Sequence, residues 1–427
     1  MKKKLLFIML ALFSMMGSAN AQGIEGNFSV SPDPVIIEAG GTAKVTLNLT
    51  NYSAFTGYEF RLVLPTGITL KKAVENEDAY PLVYNDDKEK WEITHSMQRE
   101  LQSDGSYMFI CISTKTTDPF VATKMITLTL EAASGAAGNL EATLTEIALS
   151  TTTGEGPTPS DVSFTISVKH DISLADDADN TSTIGSNDEH IVNATLAGYT
   201  LFKDGDWNTL CLPFSLDADA IAASDLAGAE LMELDITDGY DYSDGNHVTG
   251  IAANGKLYLN FKTATSINAG TPYIIRWTGT SGEISSPIFS GVTIDNSATA
   301  IARKTVSFTG GQFIGLYAPV VYDDGAEHPE VLLLGSNNEL FWPDGTNTSD
   351  VNSFHAYFLL ESPIGNARSV ALNLSDTETT GIKLIGDPQF ACDNDAAVWY
   401  TIDGRKLSGK PTKKGMFINK GKKVVVK

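Results

Sequence analysis

The sequence has few cysteines and few histidines, and this limits the cross-linking and metal chemistry open to it. The three cysteines, Cys111, Cys211 and Cys392, are scattered along the chain, so they suggest neither a disulfide framework nor a zinc site. Cys111 and Cys211 stand in apolar segments, which predicts buried free thiols. The six histidines include no pair at His-x-x-x-His spacing, and His355 is predicted to be an ordinary strand residue.

Motifs of catalysis are also missing. The chain contains neither a Gly-x-Ser-x-Gly nucleophile elbow nor a glycine-rich phosphate loop with lysine. Glycosidase carboxylates leave no linear signature, and among 52 acidic residues some pairs will be close by chance. We therefore predict that the protein is not an enzyme, and keep a glycan- or peptide-degrading enzyme as the last alternative.

Positive charge is scarce except at the end of the chain. The net charge is −22, which disfavours nucleic acid and anionic lipid as partners. Residues 401–427 are the exception, with nine Lys or Arg and one Asp. The sequence thus predicts an acidic body followed by a basic tail.

Long apolar runs are absent beyond the first residues. Lys2, Lys3 and Lys4 precede an uncharged stretch from Leu5 to Met16 and the small-x-small sequence Ala19-Asn20-Ala21, which together predict a cleaved signal peptide over residues 1–21. The stretch is too short to span a bilayer. The chain has no cysteine near the cleavage site, which disfavours a lipid anchor. We expect a secreted or outer-surface protein without a transmembrane segment.

Short Val/Ile/Thr/Tyr/Phe runs separated by turn residues predict an all-β chain. We expect a β-sandwich over residues 22–168, an extended, solvated linker over 169–190, a second β-rich domain over 191–375 and a small β-tail of hairpins over 376–427. The segment SYMFICIS (Ser106–Ser113) is apolar on both faces, which predicts a central strand, and WEITHS (Trp91–Ser96) predicts one strand. One short helix is predicted at Asp217–Ala223, capped by Asp217.

The first domain resembles cohesin modules and their relatives over about 45 residues, Phe28–Leu70. The matching residues are Gly41, Val45, Gly57, Tyr58, Phe60, Leu64, Pro65, Gly67 and Ile68. The resemblance implies a nine-stranded jelly-roll sandwich and permits, without establishing, a protein partner.

Two further resemblances concern the rest of the chain. Residues 195–216, 269–277 and 352–360 are similar to segments of large surface proteins of gut Bacteroidetes. The tail, with WYTIDGRKL and GMFINKGKKVVVK, is similar to C-terminal sorting domains of type IX (Por) secretion. This implies that the tail is an export address, and the alternative is a small structural unit. Unchanged surface display after deletion of residues 376–427 would contradict sorting.

Acidic loops and turn-associated aromatics are the candidate ligand sites. The loop DITDGYDYSDGN carries carboxylates at every third position, which could bind calcium, the one cofactor considered; these are Asp235, Asp238, Asp241 and Asp244. Aromatic rings near turns can stack on the apolar face of sugars, and the candidates are Trp342, Tyr240, Tyr242 and Tyr322. Trp207 is predicted to be a core anchor instead.

The leading functional hypothesis is a non-catalytic surface protein that binds a glycan or a partner protein in adhesion or recognition. The alternative is a structural or assembly component of the cell envelope. Aromatic residues along an open sandwich face would favour a glycan, and a flat apolar patch on the first domain would favour a protein.

Overall fold

The computed structural model describes residues 23–361 apart from 114–116, 155, 280, 323–325, 336–337 and 344–348, and beyond residue 361 only the strands named below. The predicted signal peptide and Cys392 lie outside the described residues. The described chain is all-β, as the sequence predicts, and it contains three short α-helices where the sequence predicts one. None of its helices has the length and apolar character needed to cross a membrane.

The first part of the chain forms two facing sheets. Its strands are β1 (Phe28–Ser31), β2 (Val35–Glu38), β3 (Thr42–Leu49), β4 (Gly57–Val63), β5 (Ile68–Glu75), β6 (Leu82–Asn85), β7 (Lys90–Ile93), β8 (His95–Leu101), β9 (Tyr107–Ser113), β10 (Lys124–Ala132), β11 (Gly138–Ser150) and β12 (Val162–Ala175). One sheet has the order β1-β3-β10-β5, and the other contains β12-β11-β4-β9-β8 with β2 beside β12. We call this part the first module.

Alternating side chains of both sheets build the core of the first module. Val45, Leu47 and Leu49 of β3 are buried, as the alternation of apolar and polar residues predicts. The ring of Phe60 on β4 packs against Phe28 and Phe109, with ring centroids 5.0 and 4.9 Å away. The thiol of Cys111 lies in this core, and burial raises its pKa to about 12.

The prediction of a single strand over Trp91–Ser96 is wrong, because the chain breaks at Thr94. Thr94 Oγ1 donates to the carbonyl of Pro81 at 2.7 Å, and the ring of His95 turns inward to the carbonyl of Thr56, 2.8 Å away. β8 therefore joins the large sheet, while β7 pairs only with β6 in a separate two-stranded hairpin.

The second part is a set of smaller sheets. Its strands are β13 (Ile191–Ala197), β14 (Thr200–Phe202), β15 (Asn208–Cys211), β16 (Glu230–Leu234), β17 (Tyr240–Tyr242), β18 (Gly245–His247), β19 (Gly250–Ile251), β20 (Lys256–Thr263), β21 (Pro272–Arg276), β22 (Glu283–Ser285), β23 (Ile288–Thr293), β24 (Thr305–Phe308), β25 (Gly311–Gly315), β26 (Val320–Tyr322), β27 (Val331–Leu334), β28 (Leu340–Phe341), β29 (Ser349–Val351), β30 (Ala356–Leu360), β31 (Ser369–Asn373) and β32 (Thr379–Gly381). The helices are α1 (Thr181–Ser186), α2 (Ala218–Ala222) and α3 (Ala298–Arg303).

Two sheets dominate the second part. One contains β15-β21-β16-β20-β31-β32, and the other has the order β24-β25-β30-β27-β28. Trp207 is buried in their shared core, as predicted, and Cys211 is a buried free thiol. The predicted helix is present as α2, where Asp217 Oδ1 accepts a hydrogen bond from the amide of Ala220 at 2.8 Å.

The prediction of an extended, solvated linker before this part is wrong. β12 continues to Ala175 and pairs in parallel with β13 over His170–Ala175, so the sheet runs from β8 to β23. Leu174 and Ile184 of the supposed linker are buried. A segment rich in Asp, Asn, Ser and Thr can still pack against the rest of the protein when its few apolar side chains lie in a strand and a helix. The domain boundaries themselves stay a prediction.

The junction contains a histidine pair that predicts sensitivity to acid. The rings of His170 and His190 lie 5.9 Å apart, and burial, followed by the nearby His170, lowers the pKa of His190. The unfolded chain, with a histidine pKa near 6.5, therefore binds more protons at mildly acidic pH. We expect stability to be intact above pH ~6.5 and to fall as the pH drops towards the lowered pKa.

Urea unfolding of the wild type and His190→Gln at pH 7.5 and 5.5 measures this contribution. The wild type should lose more unfolding free energy on acidification than the variant does. Equal losses would show that His190 does not titrate differently in the folded and unfolded states.

The tail contains β33 (Trp399–Thr401), β34 (Lys406–Leu407), β35 (Gly415–Asn419) and β36 (Lys422–Val426). β33 pairs with β34, and β35 with β36, as the predicted hairpins require. They form one sheet with the order β34-β33-β35-β36. β32 lies in the predicted tail but pairs with β31 of the second part.

Candidate functional site

The outer surface of β9 forms an apolar stripe on the open face of the large sheet. Phe109 and Cys111 point into the core, so the alternating residues Met108, Ile110 and Ile112 point outward. β9 lies between β4 and β8, one strand from the sheet edge. The segment was predicted to be a central strand because both of its faces are apolar. In the structure one face packs in the core, and the other lies on the open side of the sheet, where Ile112 is 42 % exposed.

Polar residues flank this stripe on both sides. The register places Ser96, Gln98 and Glu100 of β8 opposite Ile112, Ile110 and Met108. On the other side, Glu59 and Arg61 of β4 lie opposite Ile110 and Met108. Outward residues at paired positions share a face. We call this surface, made of residues 96, 98, 100, 108, 110, 112, 59 and 61, the β9 face.

The β9 face is acidic. Arg61 is held by Asp104 at 3.1 Å and by Glu146 at 3.0 Å, so its charge is already neutralised. Burial, with the nearby Glu146, raises the pKa of Glu59. Glu100 adds a further carboxylate at the strand edge. The apolar stripe is therefore bordered by excess negative charge.

A second exposed apolar surface lies on the β6–β7 hairpin, and the sequence analysis missed it. Leu82 pairs with Ile93, and Tyr84 pairs with Trp91, so these four side chains share one face. Trp91 is 64 % exposed and Tyr84 44 % exposed. The turn-rich stretch Asn85–Lys90 between two short apolar runs is the signal that could have revealed a hairpin. Leu82 is exposed as well, whereas Ile93 is partly buried against the core of the first module. We call these four residues the aromatic platform.

The structure does not bring the predicted sugar-binding aromatics together. Trp342 is buried in the core of the second part, where other apolar side chains pack around it. Tyr322 packs beside the ring of Tyr357 in another cluster. Tyr240 and Tyr242 are half-buried, and their hydroxyls donate to Asp235 Oδ2 at 3.1 Å and to Asn260, respectively.

Asp235, the first carboxylate of the predicted calcium loop, serves as an internal hydrogen-bond acceptor. It is fully buried, and its Oδ1 accepts from the amide and hydroxyl of Thr237 at 3.0 and 2.9 Å. Burial opposes ionisation, but the hydrogen bonds from Thr237, Asp238 and Tyr240 prevail and lower the pKa of Asp235. Its oxygens therefore already have donors.

Asp244 and Asp241 are likewise occupied by other residues. Asp244 Oδ2 accepts from the Tyr258 hydroxyl at 2.6 Å and lies 3.6 Å from Lys256 Nζ. Asp241 Oδ1 accepts from Asn246 at 2.8 Å. Within the part of the chain that the structure describes, no three His, Cys, Asp or Glu side chains form a group that could hold a metal ion. The four carboxylates therefore do not form such a group in the structure, and calcium binding stays a prediction.

A groove of ≈ 770 Å³ lies along β23, the other edge of the large sheet. Its backbone edge is largely used: the amide of Ile288 donates to Asp225 at 3.0 Å, and that of Gly291 donates to Asn193 at 3.1 Å. Asp188 and Asp295 line the groove but accept hydrogen bonds from the amides of residues 296 and 297. The two amides and both carboxylates thus already have hydrogen-bond partners within the chain.

Cohesin modules are among the solved structures similar to this chain. A cohesin module from a Clostridium perfringens family 33 glycoside hydrolase is 10 % identical and matches 33 % of this chain and 93 % of its own, with a TM-score of 0.25. A non-cellulosomal cohesin of Archaeoglobus fulgidus is 8 % identical, with 34 % and 91 % covered and a TM-score of 0.25.

A third similar structure is the major pilin SpaD of Corynebacterium diphtheriae. It is 11 % identical, with 78 % of this chain and 62 % of the pilin covered and a TM-score of 0.21. No family model matches the sequence, and no curated protein matches it. At these scores, the partners and roles of the similar structures are not transferred to this chain.

Proposed function

We propose that the protein is a non-catalytic recognition protein that binds a partner protein through the β9 face, outside the cytoplasm. The observation that carries the proposal is the row of outward apolar side chains Met108, Ile110 and Ile112, bordered by polar residues on β8 and β4. An apolar centre with a polar rim is the arrangement of protein–protein interfaces. Met108 and Ile110 are partly buried and Ile112 is exposed, so the stripe presents apolar surface to water on an open sheet face, which is typical of an interaction site.

The charges of the β9 face indicate the chemistry of the partner. Glu59 and Glu100 add negative charge to the face, while the charge of Arg61 is shared between Asp104 and Glu146. A partner surface with apolar side chains at its centre and Lys or Arg at its rim would complement this pattern. Charge complementarity mainly raises the association rate and the specificity, so binding should weaken as the salt concentration rises.

The substitution Ile112→Asp tests the β9 face, and Val74→Asp is its matched control. Val74 is 43 % exposed, like Ile112 at 42 %, but lies on β5 of the opposite sheet. Proteins captured by the mature chain are purified and their affinities for each variant are measured. We expect Ile112→Asp to weaken binding at least ~10-fold, equivalent to about 1.4 kcal/mol, and Val74→Asp to leave it unchanged.

Two results would contradict the proposal. One is a captured partner that binds Ile112→Asp as tightly as the wild type, and the other is the absence of any captured partner. The second result would favour the envelope-component hypothesis, in which the modules are spacers.

A further inference from the structure

The aromatic platform stands apart from the polar character of most of the described surface. Trp207, Trp277 and Trp342 are buried, whereas Trp91 exposes 64 % of its surface, with Tyr84 at 44 % and Leu82 at 52 % beside it. Burying an aromatic side chain is worth roughly 2–3 kcal/mol. Keeping this one in water forgoes that stabilisation, which marks a binding surface.

The hairpin holds the two rings in a defined geometry. The rings of Tyr84 and Trp91 lie 5.4 Å apart at an interplanar angle of 67°. On the opposite face, Glu92 accepts hydrogen bonds from Lys88 at 2.9 Å and from Asn85 at 3.0 Å. These bonds close the hairpin across its turn, so the platform is organised before any ligand arrives.

The size of the platform argues against a protein ligand. Each strand has four residues, so with a rise of about 3.3 Å and a strand spacing of about 4.8 Å the platform covers roughly 13 by 10 Å. A stable protein interface buries about 800 Å² on each side. The platform supplies only a fraction of that area, but it matches one or two sugar rings.

The charged residues of the turn beside the platform further restrict the class of ligand. The turn beside the platform carries Asp86, Asp87 and Glu89, while both nearby cations, Lys88 and Lys90, face Glu92 at 2.9 and 3.9 Å. The turn therefore repels anionic groups but offers oxygen acceptors to hydroxyl groups. Sialylated and sulfated sugars are disfavoured for this reason.

We propose that the aromatic platform is a binding site for a neutral glycan, with a pyranose ring stacked on Trp91 and bordered by the ring of Tyr84. The apolar C–H face of the sugar would contact the rings, and its hydroxyls would reach the acidic turn. This site lies on different strands from the β9 face. The glycan proposal therefore does not depend on the proposal of a protein partner.

An array of neutral and anionic oligosaccharides, probed with the mature chain and its variants, tests the platform. We expect neutral glycans to bind, with affinity lowered at least ~10-fold by Trp91→Ala and only a few-fold by Trp91→Phe, which keeps an aromatic ring. Phe202→Ala is the control, because Phe202 is also half exposed but lies in the second part. Ile112→Asp should likewise leave glycan binding unchanged.

Circular dichroism and urea unfolding of Trp91→Ala establish that the variant is folded, which its exposed position predicts. The proposal is overturned if no glycan on the array binds, if Trp91→Ala binds as well as the wild type, or if only anionic glycans bind. Loss of glycan binding in Trp91→Ala with retained protein binding would separate this site from the β9 face.

Discussion

Replacing Gly270 by alanine is expected to lower the free energy of unfolding by about 4 kcal/mol. Gly270 has φ +81°, and a Cβ there would lie only 1.9 Å from the carbonyl oxygen of Ala300 in α3. Its amide is fixed by a hydrogen bond to the carbonyl of Leu212 at 2.8 Å. The left-handed backbone costs an alanine about 1–2 kcal/mol, and displacing a packed backbone adds roughly 1–3 kcal/mol.

Gly228→Ala is the matched control for Gly270→Ala. Gly228 has a similar φ of +75°, but a Cβ there meets nothing within 4 Å. Only the backbone contribution of about 1–2 kcal/mol should remain. Urea denaturation of both variants measures the difference, and equal losses would refute the role of the close approach to α3.

Replacing Asn180 by alanine is expected to cost about 3 kcal/mol of unfolding free energy. The buried amide of Asn180 accepts from the amide of Ala175 at 2.9 Å and donates to the carbonyls of Ala175 and Ala178, each at 2.8 Å. It therefore closes the turn between β12 and α1. Alanine would leave the amide of Ala175 without its side-chain acceptor, at about 1–3 kcal/mol, and would remove two donated hydrogen bonds worth about 0.5–1.5 kcal/mol each.

Asn193→Ala serves as the comparison for Asn180→Ala. The side chain of Asn193 bonds to Asp171 and to the amide of Gly291 at solvent-exposed positions, where water can replace it. Its loss should cost less than 1 kcal/mol. Thermal or urea unfolding that gives the same loss for both variants would show that Asn180 has no special role in the junction.

Local patterns predicted the buried faces of strands but not how the chain connects the strands. Period-two alternation places Val45, Leu47 and Leu49 on one buried face wherever the strand lies. The composition of residues 171–190 indicated a linker, yet Asn180 and Ile184 fold this stretch against partners far along the sequence. Long-range pairing such as β12 with β13 leaves no local pattern that a single sequence reveals.

The candidate surfaces were only partly predictable, for a related physical reason. A flat apolar patch on the first module was considered only as an observation that would favour a protein partner, and its residues were not predicted, since the sequence places Ile112 in a core strand. Trp91 was placed in a regular strand because nothing in WEITHS marks the break at Thr94. Conversely, Trp342 stands beside a turn in the sequence and is nevertheless buried. Exposure of an aromatic ring depends on neighbours that the local sequence does not contain.

The strand shared between the two parts has a mechanical consequence. β12 is bonded to β11 along its first half and to β13 along its second half, so tension along the chain is carried by backbone hydrogen bonds on both flanks. A flexible tether would extend under a weak pull and let each part rotate. Here a force applied to the second part would be transmitted to the large sheet as shear along β12. The junction is therefore expected to resist stretching.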